Sequence, residues 1–128
     1  MKKVKRKLAT ILAADCVDFS RHMESREEET LENLNACRKI IDAFIDEYGG
    51  RIFHTAGDSV IAEFDSPVEC VNSAIKFQEA LKNRNMEIES EPKLVWRVGI
   101  HVDDIIVEGS NVYGTGVNVA ARLESKCE

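Results

Sequence analysis

The sequence predicts an α+β domain in which an antiparallel sheet carries helices on one face. Three observations lead there. Two long stretches repeat apolar residues at steps of three and four, several short apolar runs are bounded by charge or glycine, and these alternate in the order β-α-β-β-α-β. With 128 residues, 44% of them hydrophobic and 31% charged, the chain suits one domain with one core.

Leu8 to Ala14 is short, apolar and flanked by charge, which reads as a buried first strand. It runs into Asp15-Cys16-Val17-Asp18-Phe19-Ser20, a polar turn at the strand's C-terminal end. Ser25 with Glu28 three residues on has the form of a capping box opening a long helix. Leu31, Leu34, Cys37, Ile41, Phe44, Ile45 and Tyr48 mark the helix's apolar face, and Gly49-Gly50 stops it. Arg51 to Thr55 and Ser59 to Phe64 read as a hairpin turning through Gly57-Asp58, where glycine at the first central position suits a type II′ turn.

A second capping box, Ser66 to Glu69 with Pro67 at the first helical position, opens another helix. Its buried side is expected at Val68, Val71, Ile75 and Leu81. Residues 85–93 are polar and loop-like. Leu94 to Val102 and Ile105 to Glu108 read as strands, and Val117 to Cys127 as a final helix. This order is that of a ferredoxin-like split βαβ arrangement, in which the first strand and the hairpin pack side by side at the centre of the sheet.

Seventeen basic and twenty-three acidic residues give a net charge of −6, and five of the basic ones (Lys2, Lys3, Lys5, Arg6, Lys7) lie in the first seven positions. Residues 1–7 therefore read as a basic tail or linker, and residues 8–128 as the domain. The acidic body repels a phosphate backbone, which argues against nucleic-acid binding, so a polyanionic ligand needs local geometry or metal ions to hold it. The apolar runs are too short to span a membrane, and no secretory leader is evident. Cys16, Cys37, Cys70 and Cys127 form no C-x-x-C pair, so zinc-ribbon and dithiol readings fail, and a reducing, cytoplasmic setting is expected.

Asp15 at the end of the first strand and Asp58 at the hairpin tip are expected to converge. Paired carboxylates at one edge of a sheet suit divalent cations and phosphoryl chemistry. Taken alone, the same two residues also serve as a turn cap and a hairpin tip. Further on, the glycine-spaced Gly114-Thr115-Gly116 leads into a helix that carries Asn118 and Arg122 four apart on one face. Arg122 is suited to stabilise phosphoryl charge and Asn118 to position a hydroxyl, or Arg122 pairs with Glu124 or Glu128 on a solvated surface.

Four blocks, Ile11 to Arg21, Gly50 to Phe64, Trp96 to His101 and Val112 to Glu124, together resemble the catalytic domain of class III nucleotidyl cyclases in order and spacing. The resemblance implies an adenylate cyclase that makes cyclic AMP and pyrophosphate from ATP at the interface of a homodimer. It implies that Asp15, Asp58 and the backbone carbonyl of Cys16 hold two Mg²⁺ or Mn²⁺ ions. The turn amides near Phe19 and Ser20 then cradle phosphates, while Asn118 and Arg122 come from the partner subunit.

His54 stands where adenylate cyclases usually carry lysine, and Asn111 where they often carry aspartate. As purine readers, His54 can donate to adenine N1 and the Asn111 carbonyl can accept from the N6 amino group. Asn111 can also donate to guanine O6, so GTP is compatible. Asp18 and Asp103 occupy positions where the family favours glycine, and His101 reads as a strand histidine with a structural partner. The family fold normally continues past the final helix, whereas this sequence stops at Glu128. A second reading therefore stands beside the enzyme: a cyclase-like regulatory module that dimerises or binds nucleotide without turnover.

Overall fold

A computed structural model describes the backbone of residues 4–108 and 111–113 and the side chains of residues 7–102 and 104. The elements are β1 (Val4–Cys16), α1 (Phe19–Ser25), α2 (Glu27–Glu47), β2 (Arg51–Ala56), β3 (Ser59–Phe64), α3 (Pro67–Glu87), β4 (Trp96–Glu108) and β5 (Asn111–Tyr113). The sheet order is β2-β3-β1-β4-β5, and every neighbouring pair is antiparallel. The first strand and the hairpin are neighbours through β3, as the split βαβ reading expects, but β2 is an edge strand and not central. Among the described residues no helix is long and apolar enough to cross a membrane.

Alternation along β1 gives the sheet two apolar faces. Leu12, Ala14 and Cys16 join Val60, Ala62 and Phe64 against Leu34, Cys37, Ile41 and Ile45 of α2 and Cys70, Phe77 and Leu81 of α3. Ala9, Ile11 and Ala13 face the other way, with Phe53 and Ile61 beside them. Asp15 follows this second parity, so its side chain leaves the sheet on the face away from the α2–α3 layer. The register of β2 against β3 slips between Ile52 and His54.

Several boundaries differ from the sequence expectation. The first strand begins at Val4, not Leu8, and residues 4–7 pair with β4. The basic segment is thus partly strand, and Lys7 reaches Glu63 at 3.2 Å and Asp65 at 3.3 Å. The charge run concealed this because Lys7 neutralises carboxylates at the end of β3. The expected strands 94–102 and 105–108 are one strand, β4. The final helix expected at 117–127 lies outside the described residues.

The Ser25 capping box does not form. The chain instead breaks at Arg26 (φ −149°, ψ 72°), which separates α1 from α2. Ser25 Oγ donates back to the carbonyls of Arg21 and His22, while buried Thr30 ties the break by donating to His22 O at 3.0 Å. Ser66 does cap its helix, with Ser66 Oγ accepting from Glu69 N at 3.2 Å. On α2 the expected apolar face holds except at Leu31, which is exposed. The buried stripe of α3 is Cys70, Ser73, Ala74, Phe77 and Leu81; Val68, Val71 and Ile75 are exposed. Small and polar side chains line much of the packed face, so the larger aliphatics pointed to the wrong one.

Candidate active site

The site forms where four chain segments end together: the C-terminus of β1, the β2–β3 hairpin tip, the first turn of α1 and the start of β4. Gly57 adopts φ +56° between paired Ala56 and Ser59, and the adjacent Asp58 is not in the left-handed region. A positive φ at the first central residue alone is the pattern a type II′ turn requires. Asp58 Oδ2 then accepts the Cys16 amide at 2.8 Å, which fastens the hairpin tip to the end of β1.

Asp15, Cys16, Asp18, Phe19, Ser20 and Asp58 line one cavity of about 450 Å³, together with Arg21 and Arg97. The expectation that Asp15 and Asp58 converge on one site is met. The Cys16 side chain is buried in the helix-side core, so its main chain is what it offers the cavity. Burial pushes the Cys16 thiol up to about 12, with the charges of Asp58, Cys37 and Asp15 adding to the effect. A thiol held protonated there is not a nucleophile at neutral pH.

Asp18 sits immediately before α1 in the left-handed region, at φ +55° and ψ +31°. Glycine adopts that conformation without penalty, and aspartate is among the few other residues that tolerate it. The preference for glycine at this position therefore has a backbone cause. Asp18 satisfies the turn and adds a third carboxylate to the cavity.

One residue of the site was not anticipated. Arg97 lies opposite Asp15 in the β1–β4 register. Its Nε donates to Oδ1 at 2.9 Å, and a terminal guanidinium nitrogen donates to Oδ2 at 3.1 Å. The signal was present in the Trp96-to-His101 block, but the pairing requires knowing the register of β4 on β1.

The expected purine readers are not brought together within the chain. His54 is exposed on β2, one edge of the sheet, and Asn111 opens β5, the other edge. Through the strand pairs His54 is level with Gly99, whereas Asn111 pairs with Glu108. Those positions are separated by about 30 Å along β4 at the usual rise per residue. His101 lies on β4 opposite Ile11. Asp103 pairs with Ala9, and its side chain lies outside the described set. Asn118 and Arg122 also lie outside the described residues.

The donor chemistry of the cavity fits a hard divalent cation. Asp15 and Asp58 supply carboxylate oxygens, and magnesium characteristically takes one or two carboxylates and completes its shell with water and substrate phosphates. Among the described residues no group of three or more His, Cys, Asp or Glu side chains forms a self-sufficient metal cage.

The family description "Adenylate and Guanylate cyclase catalytic domain" matches residues 1–128. The chain is 41% identical over 123 residues to a putative adenylate cyclase 3 of Rhizobium meliloti (strain 1021), covering 95% of this chain and 21% of that protein. It superposes on the crystal structure of an adenylate/guanylate cyclase/hydrolase from Silicibacter pomeroyi with a TM-score of 0.89 at 36% identity, covering 98% of this chain and 74% of that one. The adenylyl cyclase of P. aeruginosa gives a TM-score of 0.84 at 26% identity, with coverages of 98% and 75%. Fold, acidic cavity and sequence together define a class III nucleotide cyclase domain. The chain belongs to the family of adenylate and guanylate cyclase catalytic domains. It spans about a fifth of the length of the Rhizobium relative.

Proposed function

We propose that the chain is the catalytic domain of an adenylate cyclase, forming cyclic AMP and pyrophosphate from ATP in composite sites of a homodimer. The observation that carries this reading is the meeting of Asp15 and Asp58 in one cavity beside the first turn of α1. The similarity to a protein described as a putative adenylate cyclase favours ATP.

Asp15 and Asp58, with the Cys16 carbonyl, would hold two Mg²⁺ or Mn²⁺ ions. When bound, such ions supply activation of the ribose 3′-hydroxyl and charge neutralisation for the departing pyrophosphate. The main-chain amides at Phe19 and Ser20 meet the phosphates. Asn118 and Arg122 of the partner subunit orient the ribose and stabilise the charge that develops on the phosphoryl group. His54 and Asn111 would read the purine, which requires them to reach one base from different subunits because they lie on opposite edge strands.

The test is chromatographic detection of cyclic AMP and cyclic GMP after incubation with Mn²⁺ and either ATP or GTP, beside an Asp58→Ala control. Cyclic AMP that disappears in the control is the expected result. Cyclic GMP in its place transfers the reading to a guanylate cyclase.

A second reading, a nucleotide-binding or dimerisation module without turnover, is favoured by one observation: Asp15 is already neutralised by Arg97 while Asp18 adds negative charge to the cavity. It predicts nucleotide binding by the dimeric protein with no cyclic product.

A further inference from the structure

Asp15 and Asp58 are acidic neighbours held in different ways. Asp58 accepts a neutral main-chain amide at one oxygen. Asp15 meets the Arg97 guanidinium with both oxygens, and the two side chains are only 19% and 23% exposed. A two-point arginine–carboxylate contact fixes geometry as well as charge, and partial burial protects it from screening. Arg97 therefore already supplies positive charge to one of the two carboxylates that a shared cation would need.

We propose that Arg97 is the resident counter-ion of Asp15 and yields this carboxylate when a divalent cation binds, so that Arg97 sets the cation affinity of the nucleotide-free site. The inference rests on the reading of Asp15 and Asp58 as metal ligands. Its physical basis is competition. A guanidinium on Asp15 neutralises the ligand, and its charge repels an incoming divalent ion across a short, partly dehydrated distance. Arg97 is thereby a positioning residue: it holds the empty site at low charge and keeps Asp15 in place. A brace with no part in cation exchange would leave affinity unchanged on removal, or lower it by loosening Asp15.

The direction of the change decides the matter. Mn²⁺ binding to the nucleotide-free chain would be followed by the loss of the free-ion electron paramagnetic resonance signal. Wild type would be compared with Arg97→Gln, Arg97→Lys and Asp58→Asn, with circular dichroism confirming the fold of each. Arg97→Gln should bind Mn²⁺ about tenfold more tightly than wild type, the size expected for removing one nearby like charge. Arg97→Lys, which keeps the charge without the two-point grip, should fall between them. In wild type, the Arg97 Nε–H nuclear magnetic resonance should move when Mg²⁺ is added and stay fixed in Asp58→Asn.

Unchanged or weaker Mn²⁺ binding in a folded Arg97→Gln, with Asp58-dependent binding intact in wild type, overturns the exchange and leaves the metal reading standing. Mn²⁺ binding that ignores Asp58→Asn overturns both. Should Arg97→Gln fail to fold, an Arg97 Nε–H resonance that does not move with Mg²⁺ in wild type overturns the exchange by itself.

Discussion

The amide of Cys16 donates to Oδ2 of Asp58 at 2.8 Å, joining the end of β1 to the tip of a hairpin 42 residues further along the chain. One carboxylate thus both closes the fold at this corner and lines the cavity. The two roles separate by substitution. Asp58→Asn keeps an acceptor for the Cys16 amide and loses the charge, whereas Asp58→Ala loses both. Asp58→Ala should cost about 1–2 kcal/mol in chemical denaturation, given the partial exposure of the residue, and Asp58→Asn clearly less. Both should abolish metal-dependent cyclic nucleotide formation. Activity retained in Asp58→Asn would refute the metal-ligand role while leaving the structural one intact.

The two sequences that look like helix caps make opposite predictions. Ser66 Oγ accepts from the Glu69 amide, and Pro67 follows at the first helical position, so Ser66→Ala should destabilise the chain by about 1 kcal/mol. Ser25 caps nothing; its hydroxyl donates backward within α1, and Ser25→Ala should change stability by less than about 0.5 kcal/mol. Equal losses in both variants, measured by urea denaturation, would contradict the cap assignments.

The contrast between those serines shows what the sequence discloses here. A local signal is legible when the surrounding fold agrees with it, as at Ser66-Pro67 and at Gly57-Asp58. At Ser25 the local pattern loses to the buried Thr30, which ties the chain to His22 and sets the helix break at Arg26. The strand order followed from the alternation of helical and extended segments, and with it the meeting of Asp15 and Asp58. The inner face of α3 was not legible, because packing selects Cys70, Ser73 and Ala74 there and leaves Val68, Val71 and Ile75 outside. Arg97 opposite Asp15 was hidden for a different reason: cross-strand partners depend on register, which no single segment contains.

Glycine at the end of α2 is required at two positions for two reasons. Gly49 has φ +80°, and the Gly49 and Gly50 amides bond back to Asp46 and Ile45, the paired bonds of a Schellman cap. A Cβ on Gly49 meets open space, so Gly49→Ala should cost about 1 kcal/mol from backbone strain alone. A Cβ on Gly50 would lie 2.4 Å from Phe64 Cζ and 2.8 Å from Ile45 Cγ2. Phe64 is almost fully buried, so Gly50→Ala should force the core apart and cost about 1–3 kcal/mol. Calorimetry should rank the melting temperatures as wild type, then Gly49→Ala, then Gly50→Ala. A melting temperature for Gly50→Ala equal to that of wild type would show that Phe64 is free to move.

The buried thiols give the fold an alkaline limit. Burial pushes the Cys70 thiol from an ordinary 9.0 up to about 12. Burial together with neighbouring negative charge raises Cys16 to about the same value. The folded chain therefore keeps these protons at a pH where the unfolded chain releases them. The stability this contributes is fully present below the unfolded value of 9.0 and falls as pH climbs towards about 12. Each thiol can remove up to about 1.4 kcal/mol per pH unit across that window. Lysine and tyrosine also titrate at alkaline pH, so a difference between wild type and a single variant is needed to isolate one thiol. Cys70 is the better choice, because Cys16 adjoins the site. Cys70→Ala should lose some stability at pH 7 through a small cavity, yet its stability should decline less steeply above pH 9 than that of wild type. Urea denaturation at pH 8, 9 and 10, under reducing conditions, measures both slopes. Parallel slopes would mean that the Cys70 thiol ionises as readily in the folded chain as in the unfolded one, and that water reaches the face of α3 packed against the sheet.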